Sequence, residues 1–360
     1  MKNSAKLLAF VFVITFSFFS CKPNLGESEI NERDDLCENV TLDEPLDYND
    51  LKGTVDYSSD SSNIKEWCNS LFFYTKKIGY ATTQSGEIFK TTDGGERWKL
   101  LGEISPVSLN TIFFVNSCVG YAFGGKSDCS PSPCTPFGSV VYKTIDGGKS
   151  WINQSVPYAW SELNSAWFFT EKIGLVVGLG LSIKTSDGGN TWQAFTAGNT
   201  NNMRKVSFVS SNVGHCLSLT GNLFRTEDMG ITWKNVIVSD DNHTSDFCFT
   251  SENAGYANNL KNLMKTTDGG YTWDLIYTAN ESIEYIYFIT ENIGIILGYE
   301  NGGIGDFDYY NIKIQITKDG GKTWSDQILD QWDFNSNCLF AKDNIIYSLS
   351  YDKIRKLIIK

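Results

Sequence analysis

Along most of the chain, apolar residues alternate with polar ones around a recurring phenylalanine or form short runs bounded by polar residues, as in Glu87-Ile-Phe-Lys90 and Leu263-Met-Lys265. Other short runs are apolar throughout, such as Gly294-Ile-Ile-Leu297. Clusters of Gly, Asp, Asn, Ser and Thr separate them, and a helical period is absent. Runs of this length bounded by turn formers predict short β-strands, many of them buried on both faces.

The strands recur in register. One box reads Thr91-Thr-Asp93-Gly-Gly95-Glu-Arg-Trp98. It returns around Asp146, Asp187, Asp228, Asp268 and Asp319, each followed five residues later by tryptophan. The aspartates stand 53, 41, 41, 40 and 51 residues apart. Upstream of each box a phenylalanine precedes a glycine by six positions: Phe73/Gly79, Phe114/Gly120, Phe168/Gly174, Phe208/Gly214, Phe249/Gly255 and Phe288/Gly294. A seventh opening, Phe340, has Ile346 in the glycine's place and no box after it. Each unit parses as four strands: one around the phenylalanine, one from the glycine, one into the box and one from the tryptophan. Four strands per ~40 residues is the period of a propeller blade.

The fold expected is therefore all-β, a seven-bladed β-propeller of four-stranded antiparallel blades. The last unit supplies strands at Cys338–Phe340, Ile345–Ser350 and Lys353–Ile359. Its missing outer strand is expected from the segment near Gly53–Ser58, which closes the last blade with an N-terminal strand and removes an exposed sheet edge. Within the box, Asp-Gly suits a tight turn, because glycine reaches positive φ without steric cost and the carboxylate accepts turn N–H groups. The Thr two residues earlier offers a hydroxyl to the same turn, and the tryptophan buries ~150–250 Å² between layers. One carboxylate per box is too few for a calcium loop, so these aspartates read as architecture and no metal or cofactor is expected.

The pattern S/T-x-D-x-G-x-T-W resembles the Asp-box (bacterial neuraminidase) repeat. With its F-x5-G opening, the unit is most similar to the photosystem II assembly/stability factor family and its bacterial lipoprotein relatives, over roughly residues 60–360. That resemblance implies a seven-bladed, non-catalytic propeller acting as a chaperone-like binding platform. Photosynthetic members use an arginine-rich patch for their partner. Here the five arginines are scattered, and Arg204 alone falls on a mid-chain strand. Sialidases share the Asp-box, but they need an arginine triad and an Arg-Ile-Pro motif, which this sequence lacks.

The N-terminus stands apart from the repeats. Lys2 and Lys6 precede an apolar run from Leu7 to Ser20, too short to span a membrane and right for a signal peptide. Phe18-Phe19-Ser20-Cys21 resembles a bacterial lipobox. The expected division is a lipoprotein signal over 1–20, lipidation at Cys21, a flexible acidic tether over 21–50, and the propeller over 51–360. Lys22 gives no inner-membrane retention signal, so an outer-membrane-anchored lipoprotein of the cell envelope is expected, attached by lipid alone and monomeric. A net charge of −12 argues against nucleic acid. Eight further cysteines permit disulfides. Cys129 and Cys134 flank Ser-Pro-Ser-Pro and form the best candidate pair, and no C-x-x-C spacing suggests zinc.

Catalytic chemistry is thin. Two histidines, His215 and His243, are twenty-eight residues apart and support neither a Ser-His-Asp site nor a metal cluster. His215 reads as a packed strand residue. A two-carboxylate glycosidase remains the enzyme alternative. The two long inter-box distances place insertions between the second and third strands of blades 2 and 6, about Gly124–Phe137 and Glu300–Asn311. In a propeller these fall on the face opposite the boxes. With Tyr158, Trp160, Phe307, Tyr309, Tyr310, Trp332 and Phe334 they form an aromatic-rich candidate binding face for a protein or extracellular polymer. Glu300, Asp306 and Asp308 read as a solvated acidic loop rather than a cation site.

Overall fold

The computed structural model describes residues 43, 55–61, 64–125, 138–156, 161–197, 202–239, 243–301, 310–329, 338–350 and 353–360. Every regular element among them is a strand. After β1 (Val55–Ser61), blade 1 comprises β2 (Cys68–Phe73), β3 (Gly79–Thr83), β4 (Glu87–Thr91) and β5 (Lys99–Glu103). Blade 2 is β6 (Leu109–Phe114), β7 (Gly120–Gly124), β8 (Val140–Thr144) and β9 (Ile152–Gln154). Blade 3 is β10 (Glu162–Phe168), β11 (Gly174–Leu179), β12 (Ser182–Thr185) and β13 (Gln193–Phe195). Blade 4 is β14 (Met203–Phe208), β15 (Gly214–Ser218), β16 (Leu223–Thr226) and β17 (Lys234–Val236). Blade 5 is β18 (Thr244–Phe249), β19 (Gly255–Asn259), β20 (Asn262–Thr266) and β21 (Asp274–Thr278). Blade 6 is β22 (Ile283–Phe288), β23 (Gly294–Asn301), β24 (Tyr310–Thr317) and β25 (Ser325–Leu329). Blade 7 is β26 (Leu339–Lys342), β27 (Ile345–Ser350) and β28 (Lys353–Ile359), with β1 as its fourth strand.

All seven sheets are antiparallel, and the fold is the expected seven-bladed ring. β1 pairs with β28 from Val55↔Ile359 to Ser61↔Lys353, a little beyond the segment expected to close the ring. A covalent bond reinforces that closure: Cys68, at the head of β2, is bridged to Cys338, just before β26. Its sequence separation is 270 residues, so it restrains most of the unfolded chain. Cys118 and Cys248 are also disulfide-bonded, whereas Cys216 is a buried free thiol.

The phenylalanine–glycine pattern has a steric cause. Each phenylalanine ring lies over the glycine paired with it on the next strand, as Phe114 pairs with Gly120. A Cβ on Gly120 would come within 2.6 Å of Phe114 Cε1. The ring also meets the box tryptophan of its own blade edge-on, as in Phe114–Trp151 (6.0 Å, 86°) and Phe288–Trp324 (6.4 Å, 87°). On its other side it receives an aromatic residue from the preceding blade. Tyr80 stacks on Phe114 at 3.8 Å and donates its hydroxyl to Gly147 O at 3.0 Å, inside the box of blade 2. Tyr121 repeats this on Phe168 and Gly188 O, and Tyr347 stacks on Phe73 to close the seam between blades 7 and 1. Five of the seven seams, those of Tyr80, Tyr121, His215, Tyr256 and Tyr347, are thus an aromatic stack with a hydrogen bond at its tip.

The register corrects one expectation. Phe340 pairs with Tyr347, the place held in blade 1 by Phe72 opposite Tyr80. Ala341, opposite Ile346, therefore occupies the position of the six phenylalanines. The turn of blade 7 is shorter, passing through Asp343 at φ 55°, and without a phenyl ring above it the glycine is not needed.

The first strands of neighbouring blades lie side by side and line the centre of the ring. Their inner edges have no strand partner, so side chains satisfy the backbone instead. Ser165 Oγ accepts from Val206 N at 3.1 Å, and Asp246 Oδ2 accepts from Ile286 N at 3.2 Å.

Because the phenyl ring leaves no room above its glycine, Gly120→Ala should destabilise the protein by ~1–3 kcal/mol. Urea denaturation checks this, and an unchanged midpoint would refute the steric account.

Candidate functional site

Six of the sequence-identified positions are the box aspartates, and the structure shows what each does. In blade 3, Thr185 Oγ1 donates to Asp187 Oδ1 at 2.9 Å and accepts from Gly189 N at 2.8 Å. Asp187 Oδ1 accepts from Thr191 N at 2.9 Å, and its Oδ2 takes the Thr191 hydroxyl at 2.6 Å. The same Thr–Asp–Gly lattice recurs in the other five boxes. In blade 4 Met229 replaces the first glycine and still takes the left-handed conformation, with φ 60°. The backbone N–H at that position bonds to the first hairpin of its own blade, for example Gly188 N to Lys172 O at 2.9 Å. Boxes and first hairpins therefore share one face of the ring.

These bonds hold the carboxylates ionised. The Thr272 hydroxyl and N–H lower Asp268 to about 2, and Thr323 does the same for Asp319. Each carboxylate is occupied by donors of its own turn. Among the described residues no group of three or more His, Cys, Asp or Glu side chains is placed to hold a metal ion.

The opposite face carries the remaining connections. There Ile104 N bonds to Gly86 O, Gly125 N to Ser108 O and Ile283 N to Leu260 O, zipping second hairpins to the loops that enter each blade. The blade 6 insertion is shorter than expected. β23 and β24 continue through Glu300↔Asn311 and Asn301↔Tyr310, because this stretch extends the hairpin ladder. Tyr310 thus closes a strand pair. Tyr158, Trp160, Phe307, Tyr309, Trp332 and Phe334 lie outside the described residues, as do Cys21, Cys129 and Cys134. Asp43, from the segment expected to be a free tether, accepts the Lys76 N–H at 2.6 Å on the box face.

Toward the centre of the ring, the structure adds residues that the motifs did not reveal. In blades 1 to 6 the first strand carries a bulge at its second or third residue, always four positions before the patterned phenylalanine. The bulged residues are Asn69, Asn110, Asn164, Arg204, Ser245 and Glu284. Asn69 Nδ2 reaches Ser108 Oγ at 2.7 Å, and Asn164 Nδ2 reaches Met203 O at 3.3 Å, so the amides staple blades 1 to 4 together. Beside them, Lys205 bridges to the buried Asp246 at 2.5 Å. The sequence signal was three asparagines at one fixed offset, and only knowledge of the bulge gives that offset meaning.

The histidines do not meet. His215 is fully buried in the seam between blades 4 and 5, and His243 is exposed in the loop entering blade 5. Of the arginines, Arg225 and Arg355 are buried and Arg97 sits in a box turn. The described arginines therefore form no cluster.

Comparison with known proteins agrees with this geometry. The BNR/Asp-box repeat signature matches residues 315–326, the box of blade 6. No curated protein matches the sequence significantly. Among solved structures, YCF48 bound to D1 peptide has a TM-score of 0.66 at 16% identity, over 84% of this chain and 95% of that one. YCF48 from Cyanidioschyzon merolae gives 0.64 at 16% identity, over 84% and 98%. The GH74 xyloglucanase from Xanthomonas campestris gives 0.59 at 13% identity, covering 82% of this chain and 52% of that one. At these identities what is shared is the fold, a propeller found both in a peptide-bound protein and in a glycan hydrolase.

A carboxylate lowered in the folded state contributes stability above its ordinary value of 3.8, and that contribution is lost as pH falls through about 2. Asp268→Asn and Asp319→Asn should therefore be less stable than wild type at pH 6 and converge with it toward pH 2. Denaturation midpoints across that range test this, and a gap independent of pH would contradict it.

Proposed function

We propose that this Asp-box propeller is a non-catalytic scaffold that binds a protein or an extracellular polymer through the face opposite its boxes. On this reading it is held in the cell envelope, outside the cytoplasmic membrane, by lipid on Cys21. The observation that carries the proposal is a division of labour between the faces. On one face the repeated polar side chains are used up within their own turns and seams, Asp187 and Thr185 being typical. On the other, the period is interrupted by the long connections after Gly124 and Asn301. Variable loops on a rigid ring are where recognition evolves without disturbing the fold. The likeness to a propeller seen with a peptide supports a protein partner.

The enzyme alternative has its own support in the hydrolase propellers of similar fold. Glycoside hydrolysis needs two carboxylates across the scissile bond, one of them able to hold a proton. On the first strands, which line the centre of this ring, the described carboxylates are Glu162, Asp246 and Glu284. Asp246 is already bound to Lys205 and to the Ile286 N–H, which favours its structural use.

Replacing residues 302–309 with Asn-Gly would close the blade 6 hairpin directly on the Asn301↔Tyr310 pair. The shortened protein should melt within about 2 °C of wild type and lose capture of its envelope partner in cross-linking pull-downs. Capture retained by the folded variant would remove that loop from the site. Release of reducing ends from a β-glucan polymer by the wild-type protein would replace the scaffold reading with the enzymatic one.

A further inference from the structure

Seven seams close the ring, and the residue after the patterned glycine of each second strand, or after Ile346 in blade 7, decides their chemistry. Four of these residues are tyrosines with a lysine paired across the hairpin: Tyr80↔Lys90, Tyr121↔Lys143, Tyr256↔Lys265 and Tyr347↔Lys356. Two are aliphatic, Leu175 and Ile295. Blade 4 alone has His215, and its cross-strand partner is Arg225. The imidazole lies flat on Phe249 of blade 5 at 3.5 Å and 8°, as the tyrosines do on their phenylalanines. Being shorter than tyrosine, it reaches Gly269 O only at 3.3 Å through Nε2. Arg225 fills the remaining space, donating from Nη1 to Gly269 O at 2.9 Å and to Glu252 O at 3.0 Å. His215 Nδ1 is buried with no hydrogen-bond partner.

We propose that the seam between blades 4 and 5 is an acid-sensitive latch, which loosens when His215 takes a proton while the tyrosine seams stay shut. Protonation puts a second N–H on a ring with no acceptor for it, beside a guanidinium already aimed at the same carbonyl. The nearby groups offer no relief. From β16, Arg225 is a like charge. Glu227 is taken up by Arg225 and the Tyr271 hydroxyl. From blade 5, Asp268 is saturated by Thr266 and Thr272, and Glu252 contributes its backbone carbonyl. From the inner strands, Lys205 and Asp246 are bonded to each other. Attraction of an imidazolium to the Phe249 face offsets only part of the cost of a buried, unpaired charge. Burial, reinforced by Arg225 and opposed by the Gly269 bond, accordingly lowers His215 to about 3 from an ordinary 6.5. Since the unfolded chain binds this proton more readily, the stabilisation is complete above 6.5 and is lost as pH falls from there toward 3. Tyrosines have no proton to gain in that range.

Hydrogen exchange on the full chain, corrected for intrinsic rates, reads each seam separately. Between pH 6.5 and 4.5, wild-type amides in β15 and β18 should lose protection by ~10-fold or more before those of the other blades. In His215→Phe, and in His215→Tyr combined with Arg225→Lys, that early loss should vanish. Equal loss in all seams, or the same loss in the variants, would overturn the latch. Nitrogen-15 NMR of the imidazole in a His243→Gln background needs no change in the seam. A neutral His215 at pH 5 is expected, and protonation with a midpoint near 6.5 in the intact ring would equally overturn it.

Discussion

The structure depends on one repeated contact: a flat side chain of one blade lying against a phenylalanine of the next. That contact exists because the residue paired with the phenylalanine is glycine, which lets the ring lie down on the backbone. The same phenylalanine meets its own blade's tryptophan edge-on, so a single ring links strand pairing, box and seam. Removing the glycine, the phenylalanine or the tryptophan disturbs all three at once. This coupling explains why the three positions recur together while most other residues drift between blades.

The boxes follow from this arrangement. A tryptophan can be aimed into the seam only if the turn before it is held rigidly, and the Thr–Asp–Gly lattice supplies that rigidity. The carboxylates are stabilised by donors in their own turns, leaving them little capacity for an outside ligand. At the centre of the ring a different need is met. The inner strand edges require partners, and asparagine, serine, lysine and aspartate side chains provide them across the seams between blades 1 and 2 and between blades 3 and 6. Polar residues near the axis are thus explained largely by backbone satisfaction before any ligand is invoked.

Much of the architecture could be read from the sequence, because both motifs repeat with a constant internal offset. Twenty-eight short strands, the blade count and the closing N-terminal strand all followed from that periodicity. Apart from the bulges four positions before each phenylalanine, what escaped it was non-periodic. The Cys68–Cys338 bridge joins residues at opposite ends of the propeller chain with no spacing signal, and only ring closure brings them together. Phe340 matched the phenylalanine pattern in sequence but belongs one position earlier in the sheet, because the blade 7 turn is shorter. The blade 6 insertion was expected as loop, yet its ends continue the ladder through Asn301↔Tyr310. Of the candidate aromatic face, Tyr310 alone falls among the described residues. On the proposed reading recognition rests on residues that repeat nowhere, so periodicity carries no information about it.

The central claim is that one face of the ring is architecture and the other is for recognition. Hydroxyl-radical footprinting of the protein in the cells that produce it, compared with the purified chain, tests it directly, since both faces carry exposed reporters. Trp67, Leu219 and Leu260 lie on the face of the long connections, and Ile145, Ile231 and Tyr271 lie among the boxes. The account predicts protection of the first set in those cells with the second left reactive. Protection confined to Ile145, Ile231 and Tyr271 would contradict it.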